Sequence, residues 1–436
     1  MFTLHIPPTI KPANATTLAF ITKNAHLTPS EAALAAPRNT QIDILFAINQ
    51  IAGKQIAQQK LPNWASCNEV IYPAHISMEQ CSSQATAQYK ANLAHNLLKK
   101  MHKQESPHIL VDLTGGFGVD CTIMSQFFDS ALCIEQQPEL SSIAQHNMHA
   151  LHITNVQCYN TNSLEALNAI PQATMIYIDP ARRNTQGART YAIEDCTPNV
   201  LNIKNQLLQK SAIVLVKLSP MLDWHKTVSD LKGNVAEVHI VAHKNECKEL
   251  LLVLNNNLHT QLLVHCVNDT QHTTFTATYD IPTNQVSVTL EESHDTKQQH
   301  PKHLLPLQNW KMWAHYVYEP NAAIMKAGCF TTLGQQYGMQ QISSNSHVYI
   351  ADTYYPDFPG KIWKIEKIFS MNKQEIKRSL NDITHANIIT RNFPMSAESL
   401  RKRLKIQNGG QTRIIATTDS SKEHVLIRAT AAVSQA

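Results

Sequence analysis

The stretch ILVDLTGGFGVD, Ile109 to Asp120, reads as an apolar strand that runs into a glycine turn and then into a helix. Gly115, Gly116 and Gly118 carry no Cβ, so the backbone can take positive φ there and a ligand can come close. Such a ligand sits outside the carboxyl end of the strand, where a parallel sheet reverses its winding. The next strand-like run, ALCIEQ (131–136), carries Glu135, a carboxylate suited to the two hydroxyls of a ribose. Turn and acid in this order predict an adenosine-type cofactor, with Asp112 and Thr114 beside the turn.

The pattern around this stretch extends the same architecture. Short apolar runs at 108–115, 131–136, 156–160, 175–180 and 212–219 alternate with helical stretches. That alternation predicts an α/β fold with a Rossmann-like, doubly wound parallel sheet. Two further runs, 235–244 and 247–255, predict a hairpin that extends it, and residues 258–292 alternate at period two like an antiparallel meander. The segment EESHDTKQQHPKHLLP (291–306) reads as a polar linker. The expected division is a helical region at 1–75, the cofactor domain at 76–257, a β-rich domain at 258–329 and a small α/β module at 330–436.

Of the 436 residues, 43% are hydrophobic and 16% charged, which provides a packed core and excludes wholesale disorder. No apolar run is long enough to span a membrane, and the N-terminus lacks the pattern of a secretory signal. The nine cysteines are scattered without a C-x-x-C pair, which predicts free thiols, no metal site and a cytoplasmic location. Cys121, Cys133 and Cys158 read as small core residues. Residues 331–436 hold 14 Lys and Arg against 8 Asp and Glu, a net +6, leaving 23 against 25, a net −2, for the other 330. The excess predicts a polyanionic partner for the C-terminal module.

The glycine order, GGFG, has no third glycine at the dinucleotide spacing, and Asp112 and Asp120 put negative charge where a pyrophosphate would lie. Both features disfavour NAD and favour S-adenosyl-L-methionine (SAM), whose sulfonium and ammonium are cationic. Asn162 and Ser163 follow the third strand, where an amide can bind adenine; Asn162 also has the sequence context of a helix N-cap.

With GGFG, Glu135 and YIDPARR (177–183) in order, the chain resembles the class I SAM-dependent methyltransferases. More narrowly it is similar to a bacterial subfamily with a ferredoxin-like insert and a C-terminal THUMP-like domain. The segments that carry the resemblance include MEQCSSQATAQYKA (78–91), VKLSPMLD (216–223), ECKELLLVL (246–254), YVYEPNAAIMKAG (316–328), FPGKIWKIE (358–366) and RNFPMSAESLRKRLKIQNGG (391–410). The resemblance implies SAM as cofactor and an RNA substrate, tRNA or rRNA. It also implies that Gln80, Ser82 or Ser83 line the cofactor.

Nucleic-acid amino-methyltransferases end their fourth strand in Asp/Asn-Pro-Pro-aromatic and take the base out of its stack. Here Asp179 and Pro180 keep the start of that motif, while Ala181 and Arg182 replace the second proline and the aromatic. Asp179 is the expected catalytic group, as hydrogen-bond acceptor or weak base. Arg182 or Arg183 is expected to clamp a phosphate or stack on a base. Lys217 ends the fifth strand at the same edge; burial is expected to lower its pKa and make it a proton acceptor or an anchor. VKLSPMLDW contains no cysteine, which argues against the covalent route of pyrimidine C5 methylation. In the C-terminal module, Lys373, Lys377, Arg378, Arg391, Arg401, Arg403 and Lys405 are the candidate phosphate contacts, beside Trp363 and Phe393. The reading is a methyltransferase acting on a base nitrogen of structured RNA. The alternatives are a non-catalytic RNA-binding or assembly factor with a degenerate methyltransferase fold, and a small-molecule methyltransferase.

Overall fold

The computed structural model describes residues 4–37, 41–101, 107–182, 192–289, 307 and 309–432. The chain folds as two compact units, 1–238 with 248–260 and 281–285, and 239–247 with 261–280 and 286–436.

The strands of the first unit are β1 (Ile109–Asp112), β2 (Ser130–Glu135), β3 (Val156–Asn160), β4 (Ala173–Ile178), the two-residue β5 (Ala181–Arg182) and β6 (Cys196–Thr197), β7 (Ser211–Leu218), β8 (Val235–His243) and β9 (Glu246–Leu254), the last two continuing into the second unit. Its sheet runs β9-β7-β4-β1-β2-β3. β1 is parallel to β2 and β4, and β4 to β7, whereas β9 is antiparallel to β7. The central strands are apolar on both faces because helices cover both, so they read as continuous runs without alternation. The register sets Asp112 opposite Cys133 and Tyr177, and Ile178 opposite Val216. The carboxyl ends of β1, β2, β4 and β7 therefore share one edge, and that edge holds the site.

The N-terminal helices are capped as their sequence demands. Thr28 and Glu31 form a capping box on helix Pro29–Leu34, and Asp43 caps Ile44–Lys60. The helical region reaches the glycine turn: Trp64, on helix Pro62–Ser66, meets Phe117 edge-on, with ring centroids 5.7 Å apart, in a cluster that includes Tyr72, Met78 and Ile143. The helical region thus buttresses the loop that would hold a cofactor.

In the second unit, β10 (Gln261–Asn268) and β11 (Gln271–Asp280) form the antiparallel pair that the period-two pattern predicts, followed by β12 (Gln285–Thr289). A seven-stranded sheet follows, built from β13 (Tyr316–Pro320), β14 (Gln340–Gln341), β15 (Tyr349–Ala351), β16 (Gly360–Ser370), β17 (Asn387–Arg391), β18 (Arg413–Thr418) and β19 (His424–Ala431), in the order β14-β15-β13-β16-β19-β18-β17. β17, helix Ala397–Leu404 and β18 make a parallel crossover, with Arg391 opposite Thr417. No helix among the described residues is long and apolar enough to cross a membrane.

Candidate active site at the carboxyl edge of the parallel sheet

The three glycines have different tasks. A Cβ on Gly115 would stand 2.3 Å from Cys133 Sγ, so this glycine lets the turn pack on β2. Gly118 takes φ +98° at the start of helix Val119–Met124, and a Cβ there would meet Met148 Cε at 2.8 Å. Gly116 takes φ +55° and faces open space, with nothing within 4 Å of its Cβ position. Only Gly116 therefore offers its bare backbone to a ligand.

Glu135 is buried at the end of β2 and accepts the Gly116 N–H (2.9 Å) and the Gln137 N–H (2.8 Å). Burial raises its pKa against the pull of those N–H groups. Asp112 accepts the Thr114 N–H at 2.9 Å, and Thr114 Oγ1 accepts the Asp179 N–H at 2.7 Å, which ties β1 to the start of the Asp-Pro turn. Asp112 Oδ2 is buried without a hydrogen-bond partner among the described residues. Burial, and then the nearby Asp120, Asp179 and Glu135 carboxylates, push its pKa well above the carboxylate range. Asn162 caps helix Ser163–Ala169 by accepting the Glu165 N–H, and Ser163 Oγ donates to Leu113 O at 2.7 Å.

At the end of β4 the Asp179 side chain keeps 35% exposure and pairs with Lys217, which keeps 13%. The expected lowering of the Lys217 pKa does not occur. Burial alone would lower it, but Asp179, Asp120 and Glu249 outweigh burial and raise it. The raised pKa favours the protonated Lys217, which pairs with Asp179. Pro180 is buried behind Asp179, and the chain continues into the ribbon of β5 and β6, with Arg182 opposite Cys196. Arg183 and the Arg182 side chain lie outside the described residues.

Behind this pair lies a buried polar cluster around Lys90 and Glu249, two residues to which the sequence assigned no task. Lys90, from helix Gln84–Lys100, is fully buried and donates to Glu249 Oε2 (2.8 Å) and Ser82 Oγ (2.9 Å), with Asp120 Oδ1 at 3.2 Å. Asp120 Oδ2 accepts from Ser82 Oγ and from the Tyr177 hydroxyl, both at 2.8 Å. Burial raises the Asp120 pKa, yet Lys90 and Lys217 together carry it below the usual value. Of the three residues expected before the turn, Ser82 joins this cluster, Ser83 caps helix Gln84–Lys100 and Gln80 is exposed. One signal was present in the sequence: Lys90 lies among Ala87, Ala91 and Ala94 on the buried face of its helix.

In the second unit Lys373, Lys377 and Arg378 are exposed on helix Lys373–Leu380, and Arg403 and Lys405 are exposed on or just beyond helix Ala397–Leu404. Arg401 is half-buried and donates to Asn408, and Arg391 ends β17. Trp363 is half-buried against the core of this sheet, beneath the Arg413 guanidinium, which lies 5.2 Å from the ring and is itself held by Glu319. Lys361, Lys364 and Lys367 are also exposed, on β16, and were not among the expected phosphate contacts.

A ferredoxin-like domain family matches residues 316–359, and a THUMP domain-like family matches residues 360–431, so the matched stretches begin at 316 and 360. No curated protein matches the chain. Among solved structures, a proposed methyltransferase from Porphyromonas gingivalis W83 is similar over 97% of this chain and all of its own, at 28% identity and a TM-score of 0.77. A SAM-dependent methyltransferase from Agrobacterium tumefaciens is similar over 30% of this chain and 43% of its own, at 14% identity and a TM-score of 0.23. TrmK of M. capricolum, solved with S-adenosyl-homocysteine, is similar over 39% and 69%, at 13% identity and a TM-score of 0.29. The parallel sheet and its full-length match define a class I methyltransferase fold. In particular, this is the methyltransferase architecture that continues into ferredoxin-like and THUMP domain-like segments.

Proposed function

We propose that this chain is a SAM-dependent methyltransferase that modifies a base nitrogen in structured RNA. The observation that carries the reading is the sheet edge itself: open space at Gly116, a ribose-competent carboxylate on Glu135, and a half-exposed Asp179 anchored by a cationic Lys217. The edge fits the cofactor electrostatically. Asp120, Glu135 and Asp179 gather around Asp112 at the turn, and their charge suits a cationic ligand and opposes a pyrophosphate.

Gly116 and Glu135 would hold the ribose end of SAM, and Asn162 and Ser163 the adenine, with Gln80 and Ser83 as further candidates. Bound there, SAM supplies an electrophilic methyl group. Asp179 accepts a hydrogen bond from the N–H of the target base and aligns the nitrogen lone pair for in-line attack. The methyl that SAM would supply would go to that nitrogen, whose proton would pass to Asp179 or to water. Lys217 stays protonated throughout and fixes the Asp179 carboxylate. The acceleration comes from positioning.

The exposed lysines and arginines of the second unit would neutralise RNA phosphates, and Arg182 and Arg183 would hold the substrate by charge. The THUMP domain-like match supports that assignment. The test has two arms. Calorimetry measures SAM binding, and nucleoside mass spectrometry of tRNA and rRNA from a deletion strain looks for a missing methylated base. Absence of SAM binding would favour the non-catalytic RNA-binding alternative; SAM binding with an unchanged nucleoside profile would favour a small-molecule substrate.

A further inference from the structure

We infer that the RNFP segment, Arg391 to Pro394, forms a binding pocket for one unstacked nucleobase of an RNA strand. The inference rests on the RNA reading proposed above and adds a site that the catalytic edge does not use. A cavity of about 440 Å³ opens where β17 and β18 end, lined by Thr390, Asn392, Phe393, Pro394, Thr418 and His424. That volume is ample for a base with its ribose and lies in the usual range for small-ligand pockets.

Its position follows from topology. β17, helix Ala397–Leu404 and β18 form a parallel crossover, and open α/β sheets bind ligands beyond the carboxyl ends of such strands. The walls have the chemistry of base recognition. Phe393 is half-buried and meets the His424 ring edge-on at 5.4 Å, so one aromatic and one imidazole flank the space. His424 Nδ1 shares a 3.1 Å hydrogen bond with Thr418 Oγ1, which fixes the imidazole. Asn392 sits in the left-handed region at φ +49° and places an amide at the rim, where its Nδ2 reaches Ser343 Oγ at only 3.4 Å. Aromatic stacking with adjacent amide and hydroxyl groups is how unpaired bases are held, and a base locked in a duplex does not fit. Arg391, at the end of β17, is placed for the flanking phosphate.

The test uses the full chain and a short single-stranded RNA carrying one 2-aminopurine, a base whose fluorescence changes on stacking. Phe393→Leu keeps the apolar packing and removes the aromatic face; Asn392→Ala removes the amide. The expected result is a fluorescence change with the wild-type chain, lost in Phe393→Leu together with about tenfold in affinity. The same RNA annealed to its complement should give no such change. Wild-type affinity and signal in both variants would overturn the pocket while leaving the RNA reading intact. Binding of a folded RNA but not of the single strand would do the same, whereas failure to bind either would remove the RNA reading with it. A free nucleoside monophosphate that binds as tightly as the strand would assign the pocket to a small ligand and overturn the inference.

Discussion

The Lys217 ammonium donates to the Asp179 carboxylate across the carboxyl ends of two adjacent parallel strands. The register that sets Ile178 beside Val216 makes the next two residues neighbours, so the pair is a consequence of sheet geometry. It leaves Asp179 open at the edge and keeps Lys217 behind it.

Asp179→Ala should abolish methyl transfer while SAM binding, measured calorimetrically, survives. Loss of a positioned acid–base group lowers turnover by about 10²–10⁴-fold. Turnover at the wild-type rate would remove Asp179 from the mechanism.

Lys90→Met should be strongly destabilising, because the buried Glu249 carboxylate and that of Asp120 would lose the cation that contacts them. Breaking such a pair costs about 3–5 kcal/mol, read from urea denaturation. The double variant Lys90→Met/Glu249→Leu should recover part of that loss, since an apolar pair has no desolvation penalty.

The glycines separate packing from binding. Gly115→Ala should destabilise the fold by about 1–3 kcal/mol through the clash with Cys133, and Cys133→Ala should relieve part of it. Gly116→Ala meets no atom; it should cost about 1 kcal/mol for its left-handed φ. It should also weaken SAM about tenfold, about 1.4 kcal/mol, by filling the open face. Unchanged SAM affinity would show that the cofactor lies elsewhere.

Asp112 gives a pH test. Burial raises its folded pKa far above the unfolded value, so the folded state binds the proton more tightly. Its contribution is fully present below the unfolded pKa of about 4 and is lost as pH rises towards the folded one, at about 1.4 kcal/mol per pH unit. Asp112→Asn should therefore gain stability over the wild type at pH 8 compared with pH 5, read from urea midpoints. Parallel pH profiles for the two proteins would contradict the assignment.

Much of the fold was legible in the chain. ILVDLTGGFGVD and the runs ending at Glu135, Asn160, Asp179 and Leu218 are short, apolar and separated by helical stretches, so local periodicity alone specifies the parallel sheet. Glycine order and acid placement likewise marked this edge as the candidate cofactor site, because those residue types act through backbone freedom and charge, which are properties of the residues themselves.

What only the tertiary structure decided depends on distance across the fold. The direction of the Lys217 pKa shift turns on Asp179, Asp120 and Glu249, which other strands and a helix deliver to it. Lys90 and Glu249 stand 159 positions apart in the chain and meet only because helix Gln84–Lys100 and β9 pack together. Trp363 stands among basic neighbours in the sequence, and only the fold brings Arg413, itself bound to Glu319 on another strand, over its ring. Charge and hydrogen-bond energies fall off with separation in space, not in sequence, so these roles appear only once the strands are assembled.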